Sequence, residues 1–369
     1  MKLSITQKEL ARAIKIVLPA VSGTATIPVL AGVRLETSGP STLCLTATDM
    51  DISLTTAAEA RIMEAGAVVL DAKRLAGLVA KIPSGDLDLE SDQKQSTTLR
   101  WGRSRVSMSG QDSEQFPQLP TLADATASIS IPVTMLSSLL EQTLFAVGHD
   151  SARPWLNGVN VTLDGATLKA AATDSVRIAL WQGHLPEDTG IRWEQILPAK
   201  FGMVLSRHIP DGDARVTLAC NGKSWVCETP EVTATGRIID GKFPDFERLI
   251  SNHFANSAVI TRQALIDPLG RLDVIAHEHE SGWDFCNSEL ILRARDTSLG
   301  TSIDEPISCE GYSGDTVGLG LNIKYVLDGL RAMTTDTVQL CFNDPKQMVK
   351  FQAPNDPSFR YVVLPLIKY

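Results

Sequence analysis

The strongest constraint on this chain is an internal period of about 125 residues, because it requires one structural unit to be built three times. ITQKEL from Ile5, IPVTML from Ile131 and ITRQAL from Ile260 follow one another at spacings of 126 and 129 residues. Ala47-Thr48-Asp49, Ala172-Thr173-Asp174 and the looser Ala294-Arg295-Asp296 recur at 125 and 122, and Phe116-Pro117 and Phe243-Pro244 at 127. The 369 residues hold three such copies without remainder, which predicts domains at 1–126, 127–254 and 255–369.

Each copy reads as a helix, several short strands, a second helix and more strands. Helical spacing of apolar residues predicts helices at 6–21, 71–83, 132–149, 198–209, 261–276 and 322–333, with Thr or Pro where the cap or first turn of the leading helix falls. Alternating or continuous apolar runs between Gly, Asp and Ser, such as Leu43 to Ala47 and Gly158 to Leu163, predict strands. The fold class is therefore α+β, with sheets carrying two helices on one face in each copy.

Charge is sorted along these elements. The chain carries −9 overall, yet the six helical spans hold twelve Lys and Arg against six Asp and Glu, which leaves −15 for everything else. Lys8, Arg12 and Lys15 form a stripe at i, i+4 and i+7. A solvated face would mix the signs, so a basic set of helices on an acidic protein suits loose contact with phosphates rather than base readout.

With 43% hydrophobic and 21% charged residues the chain can bury substantial cores. It holds no run of about 18 apolar residues that would predict a membrane span. Lys2, Lys8, Arg12 and Lys15 make the N-terminal stretch an amphipathic helix rather than a secretory signal, and a cytoplasmic protein is expected. The six cysteines include no CxxC pair and read as reduced, structural thiols.

No GxxxxGK[ST], no GxGxxG after a strand and no GxSxG is present, so nucleotide hydrolysis and common hydrolase chemistry have no seat, and no cofactor is expected. Asp49 and Asp51 resemble a carboxylate pair, but the recurrence of Asp49 in the other copies favours a turn or cap. His277-Glu278-His279-Glu280 with Cys286 is the best metal candidate, and would make a metal-dependent enzyme of His277, His279 and Cys286. Its position after a helix and before a polar stretch favours a solvated loop.

One ordered series of short stretches resembles a known family. Ile27-Pro28-Val29-Leu30, Leu45 to Asp49, Gly102 to Arg105, Trp155 to Gly158, Ala172 to Asp174, Asp240 to Phe246, Asn322 to Leu327 and Val362 to Leu366 are similar, in order and from end to end, to the bacterial DNA polymerase III beta subunit (DNA sliding clamp) family. The resemblance implies a head-to-tail homodimeric ring of six similar domains, sheets outside and helices lining a hole for double-stranded DNA. It implies a non-catalytic factor that tethers the DNA polymerase III catalytic subunit and needs a clamp loader ATPase.

The resemblance also implies a groove for short hydrophobic peptides of polymerases and other clamp users, built from Trp155, Leu156, Thr173, Ser175, Val176, Arg177, Ile178, Pro244, Arg248, Leu249, Asn322, Tyr325, Val363, Leu364, Pro365 and Leu366. DNA-facing candidates are Arg12, Lys15, Lys73, Arg103, Arg105, Lys200 and Arg207, and dimer contacts are expected from Val106 and Met108 to Val274 and Ile275. Several positions depart from the family. Ser175-Val176 replaces Gly-His, the chain ends Ile367-Lys368-Tyr369, the loop Ser22 to Ala25 lacks an arginine, Ala199 stands beside Lys200, and Pro268 with Gly270 should interrupt the first helix of the third copy. These departures leave a specialised paralogue for repair or resistance as the alternative to the replicative clamp.

Overall fold

The computed structural model describes all residues except 24–26, 211, 249, 251–252, 287, 310 and 367–369. In the first copy β1 (Lys2–Thr6) runs into α1 (Gln7–Val17), followed by β2 (Gly32–Ser38), β3 (Thr42–Thr48), β4 (Ile52–Glu59), β5 (Arg61–Glu64) and β6 (Ala67–Asp71). Then come α2 (Ala72–Val79), β7 (Asp86–Ser91), β8 (Ser96–Trp101) and β9 (Ser104–Ser109). The second copy repeats this order without the short fifth strand: β10 (Ala127–Pro132), α3 (Val133–Glu141), β11 (Gly158–Asp164), β12 (Thr167–Thr173), β13 (Arg177–His184) and β14 (Arg192–Pro198), then α4 (Ala199–Ser206), β15 (Arg215–Cys220), β16 (Ser224–Glu228) and β17 (Val232–Arg237). The third is β18 (Asn256–Thr261), α5 (Arg262–Ile275), β19 (Glu280–Cys286), β20 (Glu289–Asp296), β21 (Thr301–Ser308) and β22 (Val317–Asn322), then α6 (Ile323–Ala332), β23 (Thr337–Phe342), β24 (Val349–Ala353) and β25 (Asp356–Val363).

Strand pairing divides the central copy between two compact units, Met1–Thr134 with Lys200–Ile238 and Met135–Ala199 with Ile239–Tyr369. The first unit holds a sheet ordered β5-β1-β7-β8-β9 and an eight-stranded sheet ordered β10-β15-β16-β17-β4-β3-β2-β6. In the latter, four strands of the second copy join four of the first where β17 pairs with β4. The second unit holds β14-β11-β12-β13-β25-β24-β23-β18, joined where β13 pairs with β25, and a four-stranded sheet β21-β20-β19-β22. Two seams of one design thus lie in one chain, and β9 and β21 remain as sheet edges.

Helix formation follows from spacing and caps. Leu10, Ala13, Ile14 and Val17 of α1 are buried at helical spacing while Lys8 and Lys15 are exposed. Thr6 accepts from the Glu9 amide at 3.2 Å, Asp71 from Arg74 at 2.8 Å and Asn322 from Tyr325 at 3.2 Å, which caps α1, α2 and α6. In the first unit α1 packs against β3, β4 and α2; in the second α5 packs against β18, β20, β21 and α6.

The helices are shorter than their sequence periodicity suggested. The expected span 132–149 is helical only to Glu141, because Thr143 turns its hydroxyl onto Leu139 O at 2.6 Å and a separate 3-10 turn follows at Leu144–Ala146. The expected interruption of α5 is also corrected: Pro268 and Gly270 lie inside one unbroken helix, which buried Leu265, Leu269 and Leu272 hold in place.

Two packing details give testable consequences. Gly329 of α6 lies against Tyr361, whose Cδ1 would be 2.1 Å from an added Cβ, and Tyr361 is fully buried with its hydroxyl donating to Tyr325 O at 2.9 Å. Gly329→Ala should therefore destabilise the protein by about 2 kcal/mol in denaturant unfolding, although alanine is the better helix former. All six thiols are unpaired, and burial pushes Cys227 up to about 12. Iodoacetamide at pH 8 should leave Cys227 unmodified in the folded chain, and its rapid alkylation would contradict this packing.

Candidate functional site

β13 enters the second seam through a tight turn. Thr173 Oγ1 donates to Arg177 O at 2.6 Å and accepts from the Ser175 amide at 3.0 Å, while Asp174 Oδ1 accepts from the Val176 and Arg177 amides at 3.0 Å. Ser175 takes a left-handed φ of 82° and Val176 stands 40% exposed. The same Asp turn recurs: Asp49 Oδ1 accepts from Asp51 and Ile52, and Asp296 Oδ1 from Ser298 and Leu299. Asp49 is thus a turn former, and Asp51 enters the turn through its backbone.

Arg177 is a strut beneath the turn, its side chain only 11% exposed. Its guanidinium donates to Asp174 Oδ2 at 2.9 Å, Asp328 Oδ2 at 2.6 Å and Phe145 O at 2.7 Å, and lies 4.5 Å from the Tyr325 ring centroid. Burial opposes this charge, but Asp328, Tyr361 and Asp174 outweigh it and hold the arginine above its ordinary pKa. Asn322 and Tyr325 at the start of α6 are tied to the same place, and the tail follows them: the Leu364 amide donates to Val176 O at 2.9 Å and that of Leu366 to Gly320 O at 2.8 Å.

Ile178 and Leu180 share one face of β13, and with Val362 and Ile250 they form a cluster against which Ala171, Phe246 and Met348 pack. A second cluster of Leu156, Ile196 and Phe243 is flanked by Trp155 and Ile239, and Ala171 and Phe246 belong to both. The result is a continuous, largely buried apolar cluster on a sheet face, whose accessible margin is half-exposed Trp155, Tyr325 and Phe246 with exposed Val176 and Leu364, the last 42% exposed.

Among the residues expected here, Trp155, Leu156, Val176, Ile178, Tyr325 and Leu364 to Leu366 come together around this surface, while buried Thr173 and Val363 are framework. Exposed Arg248 pairs with Asp245 at 2.8 Å, Pro244 and Ser175 are exposed, and Leu249 and Ile367 to Tyr369 lie outside the described residues. Ala171, Leu180, Phe243, Phe246, Ile250, Met348 and Asp328 were missed. The overlooked signal was β13 itself, apolar at Ile178 and Leu180 and equally so at Ala179 and Trp181, one face more than a core requires.

The cations expected to face DNA all belong to the first unit. Lys15, Lys73, Arg103, Arg105 and Arg207 are exposed and hold no ion pair among the described residues. Arg12 is bound to Glu9 at 3.0 Å and to Ala57 O at 2.8 Å, and Lys200 pairs with Asp49. Val106 and Met108 are half-exposed on edge strand β9, and Val274 at the end of α5 is 83% exposed, with Ile275 half-exposed.

The metal candidate does not assemble. His279 is bonded through Nδ1 to Asp273 at 2.6 Å, and Cys286 ends the extended strand β19 that begins beside it, about 20 Å further on. Among the described residues no group of three or more His, Cys, Asp or Glu could hold a metal ion.

Comparison with known proteins agrees with the repeated architecture. Models of the DNA polymerase III beta subunit match in order: its N-terminal domain over residues 1–120, its central domain over 130–245 and its C-terminal domain over 247–367. A beta sliding clamp of Bacillus subtilis is 26% identical over 383 residues, covering all of both chains, and one of Pseudomonas putida is 29% identical over 372 residues, covering 99% of this chain and 100% of its own. A crystal structure of the DNA polymerase sliding clamp from Bacillus subtilis superposes with a TM-score of 0.96 at 25% identity over the whole of both chains. A sliding clamp from Pseudomonas aeruginosa, solved bound to griselimycin, gives 0.92 at 26% identity over 99% of both.

Proposed function

We propose a working form for this chain from one premise: it belongs to the bacterial DNA polymerase III beta subunit family. It is a DNA sliding clamp, a non-catalytic processivity factor of replication whose partners are DNA and the DNA polymerase. Three clamp domains with boundaries at 126/127 and 254/255 make up the chain, and its work on the bacterial chromosome puts it in the cytoplasm.

The observation that carries the rest is the pair of seams. Each joins the third strand after the leading helix of one copy, β4 or β13, to the last strand of the next copy, β17 or β25. The counterparts left over are β21 and β9. A second chain supplies each with its partner, so two chains close head to tail into a ring around duplex DNA and no sheet edge is left exposed at the closure. The apolar surface at the β13–β25 seam receives the hydrophobic peptide of the polymerase catalytic subunit and of other clamp users. Opening the ring falls to a separate loader ATPase, because this chain carries no phosphate-binding loop.

DNA is held by topology and loose phosphate contact through Lys15, Lys73, Arg103 and Arg207, with Arg12 and Lys200 less available because they are paired. Affinity for linear duplex should be sequence-independent and fall at least roughly tenfold between about 50 and 200 mM salt. After loading onto a nicked circular plasmid, the protein should stay with the circle on gel filtration and leave when the plasmid is linearised. Retention on the linear form would overturn the ring.

A further inference from the structure

The β4–β17 seam repeats the backbone of the β13–β25 seam residue for residue. Thr48 Oγ1 donates to Ile52 O at 2.9 Å as Thr173 does to Arg177, Met50 takes φ 77° as Ser175 takes 82°, and the Arg237 amide donates to Asp51 O at 2.8 Å as Leu364 does to Val176. Register then fixes the equivalences: Ser53 pairs with Thr235 where Ile178 pairs with Val362, and Thr46 pairs with Thr55 where Ala171 pairs with Leu180.

Four apolar positions of the groove are therefore four hydroxyls at the other seam. They bond in pairs, Thr46 to Thr55 at 3.1 Å and Ser53 to Thr235. We propose that this hydroxyl ladder is the specificity determinant that limits each chain to one peptide site, and that the β4–β17 seam is otherwise a second groove. The inference rests on the reading of the β13–β25 surface as the peptide site. Hydrophobic gain scales with the apolar area taken from water, and the ladder offers little. Ser53 and Thr235 are buried, but half-exposed Thr46 and Thr55 keep acceptor capacity that a leucine or phenylalanine would desolvate without replacement.

The test is two reciprocal grafts in the full-length chain, titrated with the fluorescein-labelled clamp-binding peptide of the cognate polymerase catalytic subunit. Wild type should bind one peptide per chain. Thr46→Ala/Ser53→Ile/Thr55→Leu/Thr235→Val should bind two. Ala171→Thr/Ile178→Ser/Leu180→Thr/Val362→Thr should lose affinity at least a hundredfold, and because the β4–β17 seam already folds with this ladder, its thermal unfolding should remain cooperative. If the first graft fails to fold, the second decides. A wild type that binds no peptide overturns the groove reading and this inference with it. A wild type that binds one peptide, while the folded first graft still binds one or the second keeps its affinity, overturns this inference alone.

Discussion

In light scattering at micromolar concentration the protein should show twice the 39.9 kDa mass of one chain, and Val106→Asp or Ile303→Asp should reduce it to the monomer. The expectation comes from carrying the register of the two seams onto the two free edges. Ser53 faces Thr235 and Leu54 faces Ala234 at one seam; Ile178 faces Val362 and Ala179 faces Tyr361 at the other. Followed through the pairings of β1, β7 and β8, the counterpart of Ala234 and Tyr361 is Val106; followed through β20, the counterpart of Leu54 and Ala179 is Ile303. Leu54, Ala179, Ala234 and Tyr361 are buried at their seams, but Val106 and Ile303 are half-exposed. A partner strand in the proposed dimer would account for that difference.

In the proposed dimer the same register would set Arg105 of one chain opposite Asp304 of the next. Arg105→Glu places like charges across both closures of the ring. Cross-strand charge pairs contribute about 0.2–1 kcal/mol each, so the dimer should weaken about tenfold, and adding Asp304→Arg should restore it. No rescue would show that the register is wrong. Rescue would assign Arg105 to the closure rather than to the DNA-facing set.

The second large effect concerns the groove. Ile178→Asp puts a charge into the apolar cluster and should lower affinity for the polymerase peptide more than a hundredfold with the dimer intact. Removing Leu364 to Tyr369 should do the same, because Leu364 and Leu366 are bonded to Val176 and Gly320 beside the groove and not to the closing edges. Burying a leucine or phenylalanine contributes roughly 1.5–3 kcal/mol, so two anchors less the cost of ordering a peptide give binding of about micromolar strength. Val176 carries no titratable group where the resemblance implies a histidine, so affinity should change little between pH 6 and 7.5. Fluorescence anisotropy across that range measures it, and an affinity unchanged by the truncation would show that the site lies elsewhere.

The sequence alone determined the repeat, the fold class and the residues of the turns, because these rest on local chemistry. Asp49, Asp174 and Asp296 bond amides two and three residues on, and the Lys8 to Lys15 stripe needs only helical geometry. Helix ends were less legible: Thr143 stops α3 by bonding to its own turn, while tertiary packing carries α5 past Pro268. Only the tertiary structure decided what each side chain of the site does. Arg177 is expected at the groove from the resemblance, but only the structure shows that Asp328 and Phe145, distant in sequence, take its donors. Strand register made the largest difference. Thr46, Ser53, Thr55 and Thr235 read as ordinary strand residues, and nothing local marks them as counterparts of a binding surface. Their pairing across 182 residues between Ser53 and Thr235 does, because which side chains share a sheet face is set by long-range hydrogen bonding and not by their neighbours in the chain.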